Sequence, residues 1–202
     1  MSINQTFAII LAAGKSTRMG TCKTSLPWYN NQKLLQYQVT EFLKSDFIPI
    51  VVLSPQNADS QPTFPPETKT IINLDPSRGK TSSILTGLTL IPQDFTSLAI
   101  SAVDQPRPRE IYQKLYNFHL LNKALITAPT YENRIGHPLL FSPEILPHLN
   151  SISEATQGLR QIVKQFNSSI QKLEFNHPIV LADLNTDEDY HTWFISLTKS
   201  QI

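Results

Sequence analysis

Cysteine is nearly absent: Cys22 is the only one in 202 residues. No intramolecular disulfide framework can form, which fits a reducing compartment. Charge is sparse as well, at 16% of residues with a formal net charge of +1. Lys and Arg are scattered along the chain, and no basic block interleaved with aromatics offers a groove for nucleic acid. No apolar stretch is long enough to span a bilayer. The opening Met-Ser-Ile-Asn-Gln-Thr lacks the basic segment and apolar run of a signal peptide. Repeats and low-complexity segments are missing too. These absences exclude membrane and nucleic acid as partners at the level of sequence, and the expectation is a soluble cytoplasmic protein whose few local cations gather an anionic small molecule.

What is present is apolar material, 40% of the chain, enough for one substantial core. Phe7 to Leu11 is a short apolar run ending in Ala-Ala-Gly, the pattern of a buried parallel strand that leaves its sheet at a glycine. Leu34, Leu35, Tyr37, Val39, Phe42 and Leu43 recur at helical spacing. Strands are expected at Ile48–Leu53, Ile71–Ile72, Leu98–Val103 and Ala124–Ala128, with helices at Ser82–Leu90 and Arg109–Leu121. Further on, Pro138–Phe141 reads as extended and Ser153–Phe166 as helical. Ile170–Phe175 and Pro178–Ala182 read as strands, and Asp187–Leu197 as a last helix. The proline-rich Ser54–Glu67 is a surface loop. Alternation of this kind predicts a mainly parallel, doubly wound α/β sheet with helices on both faces.

Leu11-Ala12-Ala13-Gly14-Lys15-Ser16-Thr17-Arg18-Met19-Gly20 follows the first strand. Small residues there let backbone N–H groups approach a phosphate, with hydroxyls from Ser16 and Thr17 and charge from Arg18 and Lys23. A tight strand-to-helix turn with surface cations accounts for the same residues. Neither the Rossmann nor the Walker glycine spacing occurs, and at Gly79-Lys80-Thr81 the first Walker glycine is replaced by Leu74. Asp104-Gln105-Pro106 sits at the end of a strand, where open α/β sheets bind ligands. An aspartate there suits Mg²⁺, and equally a turn before proline. In Asp183-Leu184-Asn185-Thr186-Asp187-Glu188-Asp189, Thr186 is a good helix N-cap. Asp183 and Asn185 precede that helix, and either is a candidate second metal ligand. Asn73 to Ser83, including Ser82, opens a helix whose N–H groups could face an anion. Cys22 is an incidental loop residue.

The ten-residue loop, together with Lys23 and Leu26-Pro27, resembles the signature of the MobA-like nucleotidyltransferases. Within that family it is most similar to the molybdenum-cofactor cytidylyltransferase (MocA-like) branch. Asp104-Gln105-Pro106 matches the family's metal-binding aspartate, and Gly136-His137-Pro138 its motif near the acceptor. Gln157-Gly158-Leu159-Arg160 matches the end of Gly-Asp-x-Gly-x-Arg, with Ala155 and Thr156 in place of Gly-Asp. Asn185 stands where many cytidylyltransferases have aspartate.

The resemblance spans Ile9 to Tyr190. It implies one domain over residues 1–202, a Rossmann-like sheet of the nucleotide-diphospho-sugar transferase type. The nucleotide-binding half would be about 1–105 and the acceptor-binding half about 106–202. It further implies a catalytic set of Lys23, Arg18 and Asp104, with Mg²⁺ on Asp104 and Asn185. The nucleotide would be bound by Leu11, Ala12, Ala13, Gly14, Ser16, Arg18, Lys23 and Ser82, and the acceptor by Gln105, His137 and Arg160. Ala13 favours CTP, because the guanylyl branch has glycine there. The expected acceptor is a phosphorylated molecule such as molybdopterin. GTP with molybdopterin comes next, and then a sugar or alcohol phosphate. A non-catalytic accessory protein with a molybdoenzyme partner is the reading of another class.

Overall fold

The apolar run at residues 7–11 lies at the centre of the structure, a computed structural model that describes residues 5–14, 22–59, 61 and 63–199. In chain order the first elements are β1 (Gln5–Leu11), α1 (Leu34–Leu43), β2 (Phe47–Leu53), α2 (Pro55–Ala58), β3 (Lys69–Ile72), α3 (Gly79–Leu88) and β4 (Phe95–Ala102). There follow α4 (Arg109–Leu121), β5 (Ile126–Tyr131), β6 (Arg134–Ile135), β7 (Leu139–Phe141), α5 (Leu146–Asn150), α6 (Leu159–Gln165), β8 (Ile170–Glu174) and α7 (Asp187–Lys199).

Strand order is β3-β2-β1-β4-β7-β5-β6, with β8 also paired to β5. β1 is parallel to β2 on one edge and to β4 on the other. β2 with β3 and β5 with β8 are parallel as well. β7 runs antiparallel to both β4 and β5, and β6 antiparallel to β5, so the sheet is mixed but mostly parallel. The chain moves outward from β1 to β2 and β3, then returns to β4 on the other side of β1. That reversal is a topological switch point, where the ends of diverging strands leave a crevice.

Alternation along β1 divides the core. Ala8 and Ile10 face a layer with Leu35, Val39 and Phe42 of α1 and Tyr112 and Leu115 of α4. Phe7 and Ile9 face the other layer, with Ile84 and Leu88 of α3, Leu149 of α5 and Ile162 of α6. In the first layer the rings of Phe42 and Tyr112 stack at 3.8 Å. Glu41 of α1 accepts from the Arg109 backbone N–H at 2.9 Å, serving one of the donors that open α4. Trp28, Tyr190 and Phe194 join the C-terminal helix to the segment after Lys23, and the Tyr190 hydroxyl donates to the Pro27 carbonyl at 2.5 Å.

Three segments depart from the sequence reading. Pro178–Leu181 is a 3₁₀ turn rather than a strand. Ile179, Val180 and Ala182 are buried, which gives a strand-like pattern, but Pro178 opens a turn and the His177 ring accepts from the Ile179 N–H. The helix expected from Ser153 begins only at Leu159, because Gln157 and Gly158 take positive φ (66° and 56°). The expected surface loop Ser54–Glu67 contains the single-turn helix α2, opened by Pro55.

Candidate active site

At the switch point the ends of β1 and β4 and the start of α3 enclose a cleft of about 440 Å³. That is within the range of small-molecule sites. Its lining includes Leu11, Ala12, Ala13, Gly14, Lys23, Asp104 and Asn185, residues far apart in sequence. Thr24, Pro76, Gly79, Lys80 and Ser83 complete the far walls, together with Ala102 and Val103.

The small-residue segment is held by its backbone. The Ala12 N–H donates to the Val52 carbonyl at 2.9 Å, and Asn57 of α2 donates to the Ala12 carbonyl at 2.7 Å. Ala12 and Ala13 are buried. Gly14 is exposed, and a Cβ placed there would meet nothing within 4 Å. Packing against the described residues therefore sets no demand for glycine at this position. Gly14 lines the cleft.

Lys23, on a 3₁₀ turn, donates to Asp104 Oδ2 at 2.9 Å, with side-chain exposures of only 11% and 16%. Burying two charges costs desolvation that one contact does not fully return. The other oxygen, Asp104 Oδ1, is buried and has no hydrogen-bond partner among the described residues. An orphaned buried acceptor costs about 1–3 kcal/mol, more when charged. The carboxylate of this cleft-lining residue thus keeps one oxygen that no described protein group serves. Gln38 of α1 braces the strand end on both sides of Asp104, donating to the carbonyls of Ala102 at 2.9 Å and Gln105 at 3.1 Å.

The segment before α7 is tied to the same place. The Leu184 N–H donates to the Asp104 carbonyl at 2.8 Å, and the Gln105 amide donates to Asp183 Oδ1 at 2.8 Å. Thr186 and Asp189 exchange capping bonds, and Asp189 also accepts from the Asn185 N–H. Asp183 is thereby engaged with Gln105, whereas Asn185 borders the cleft.

Other residues singled out by sequence sit elsewhere. The Ser82 hydroxyl donates back to the Gly79 carbonyl at 2.9 Å, and its neighbour Ser83 lines the cleft instead. Gln105 is buried beneath the site, with its side-chain oxygen accepting from the Ala102 N–H at 3.1 Å. His137 lies outside the lining and hydrogen-bonds through its backbone N–H to the Val180 carbonyl. Gly136 packs so tightly on that carbonyl that a Cβ would collide with it. Arg160 is exposed on α6. Ser16 and Arg18 lie outside the described residues. Sequence reasoning named Lys80 and Ser83 only as part of the Asn73–Ser83 helix start, and it missed the fully buried Arg107, whose residue type carries no signal of burial.

The sequence matches the MobA-like NTP transferase domain over residues 8–171, and the chain belongs to that family of nucleotidyltransferases. No curated protein matches it in sequence. Among solved structures it is similar to Rv0371c of Mycobacterium tuberculosis H37Rv: 22% identity, 96% of this chain and 100% of that chain covered, TM-score 0.80. A manganese complex of Rv0371c aligns at 19% identity, covering 96% and 100%, with TM-score 0.75. The molybdopterin-guanine dinucleotide biosynthesis protein A of Archaeoglobus fulgidus aligns at 18% identity, covering 95% and 98%, with TM-score 0.65. At these identities the likeness is one of fold. Among the described residues no helix is long and apolar enough to cross a membrane.

Two imidazoles near or under this framework are held neutral. Burial lowers the pKa of His119, paired with Thr127 at 2.8 Å, to about 4. Burial, then the Arg107 charge, lowers His137 to about 4. The unfolded chain binds protons below about 6.5, and the folded chain only near about 4, so stability present above pH 6.5 is lost as pH falls. Urea unfolding should show the midpoint dropping between pH 6.5 and 5, with about 2 kcal/mol of unfolding free energy lost at pH 5 for His119 alone. His119→Asn should flatten that slope. A midpoint constant across this window would contradict the assignment.

Proposed function

We propose that the cleft transfers a nucleoside monophosphate from a nucleoside triphosphate to a phosphorylated small molecule, with Mg²⁺ as the metal and pyrophosphate as leaving group. CTP is the first choice of nucleotide and molybdopterin the first choice of acceptor. The observation that carries this reading is the Asp104 carboxylate. One oxygen is paired with Lys23 and the other is buried with no partner among the described residues, at a strand end beside a small-residue loop.

The donor set fits a hard cation. Asp104 and Asn185 would hold Mg²⁺, which accepts one or two protein oxygens and completes its shell with phosphates and water. Among the described residues no group of three His, Cys, Asp or Glu could hold a metal, so a softer ion with a protein cage is disfavoured. The manganese in Rv0371c supports a divalent ion in this fold. When bound, Mg²⁺ would offset charge on the α-phosphate.

The residues of the chain do the rest by position. Lys23 donates to oxygens of the triphosphate, with Arg18 assigned the same task. An acceptor phosphate oxygen attacks the α-phosphorus in line. A new P–O bond forms as the α–β bridging P–O bond breaks, and the electron pair leaves with pyrophosphate. A phosphate monoester needs no strong base to attack, so orientation and charge neutralisation supply the catalysis. His137 is assigned to the acceptor side, and Gln105 to holding Asp183 rather than to touching the acceptor.

Calorimetry with inorganic triphosphate, in Mn²⁺ and in EDTA, tests the metal site without an acceptor. The wild type should bind about tenfold tighter or more with the metal, since charge-assisted contacts are worth about 1.5–3 kcal/mol. Asp104→Ala should lose that gain while melting cooperatively. Asn185→Asp should keep it and Asn185→Leu should not. A full gain in Asp104→Ala would remove Asp104 from the site.

Base choice is tested separately. Ala13 lines the cleft, and its methyl group leaves less room for a purine than glycine would. CTP should outcompete GTP, and Ala13→Gly should narrow the gap; a tenfold preference needs only about 1.4 kcal/mol. A clear GTP preference in the wild type would assign the protein to guanylyl transfer.

A further inference from the structure

Arg107 is fully buried, yet among the described residues no carboxylate pairs with it. Its guanidinium spends its donors on four main-chain carbonyls instead. Nη1 donates to Pro106 at 2.8 Å and Nε to His137 at 3.2 Å. Nη2 donates to Val180 at 2.9 Å and to Ala182 at 2.8 Å. These carbonyls belong to three separate segments: the exit of β4, the Gly136-His137-Pro138 turn, and the 3₁₀ turn that precedes Asp183–Asn185.

An ionised group placed in a core without a counter-charge is costly, and apolar replacements of buried charges are often neutral or stabilising. A purely structural joint would therefore not call for arginine. What the planar fork supplies is simultaneous, directional bonding to several acceptors. The positions it joins are specific: Arg107 lies three residues after Asp104, and Ala182 three residues before Asn185. Two further bonds close the same bracket, Leu184 N–H to the Asp104 carbonyl and Gln105 to Asp183.

We infer that Arg107 is a positioning residue that pre-sets the distance between Asp104 and Asn185, so that both reach one divalent cation together. The inference rests on the proposed metal role of those two residues. The guanidinium also stays protonated at neutral pH, since burial lowers its pKa only to about 10, and it keeps a positive charge within electrostatic reach of Asp104 and Asp183. The two carboxylates are thus partly compensated before any cation arrives.

The test compares triphosphate affinity in Mn²⁺ and in EDTA for Arg107→Met, Arg107→Lys, Asp104→Ala and Leu149→Ala, with thermal melts of each. Leu149 is buried in the opposite layer, so its truncation lowers stability without touching the bracket. Leu149→Ala should melt earlier but keep the wild-type metal gain. Both Arg107 variants should lose about tenfold of that gain, the low end for outer partners of metal sites. Arg107→Lys keeps the charge without the fork and is decisive where Arg107→Met does not fold. A folded Arg107 variant with the full metal gain overturns the positioning role. If instead Asp104→Ala keeps the gain, the metal reading itself fails, and this inference with it.

Discussion

Strand β1 is hydrogen-bonded in parallel on both edges, and parallel pairing makes neighbouring strands end at one rim of the sheet. Because the chain turns back at β1, the loops leaving β1 and β4 diverge there and leave a crevice. The Ala12-Ala13-Gly14 segment and Asp104 come together for that reason, although ninety positions or more separate them in the chain. The two-sided apolar pattern of β1 follows from the same pairing, since each face must be covered by helices. Everything at the site depends on this central strand.

Charge is concentrated where the fold would otherwise exclude it. Lys23 and Asp104 are mostly buried at the rim, and Arg107 is completely buried behind it. In a core that is mainly aliphatic, three ionised groups in one region are expensive unless something recovers the cost. Lys23 and Asp104 recover part by pairing, and Arg107 by four carbonyl bonds. The Asp104 oxygen that has no partner among the described residues is the remainder. A bound cation and its phosphates would satisfy it, which links the energetics of the fold to the chemistry of the family.

Elements with clear apolar periodicity were legible in the sequence, including β1, β2, β4, α1 and α4. Most of β3 was not, because at the sheet edge its side chains are largely exposed and carry no run of buried residues. Pro178–Leu181 misleads for the opposite reason: buried residues in a turn mimic a strand. At the site, the loop motif and Asp104 stood out through spacing and strand-end position. Ser82 and Ser83 could not be told apart, since one step along a helix turns a side chain by about 100°. Arg107 carries no sign of its burial in Pro-Arg-Pro, and its four acceptors are main-chain atoms, to which residue identity gives no clue.

The central claim is that Asp104 and Asn185 jointly receive a divalent cation bridging to a triphosphate gripped by Lys23. A crystal structure with Mn²⁺ and a non-hydrolysable CTP analogue, read by anomalous scattering, measures this directly. The account predicts one manganese peak in the cleft held by Asp104 and Asn185, with Lys23 on the triphosphate. Manganese bound without Asp104, or a nucleotide seated outside the cleft between β1, β4 and α3, would contradict it.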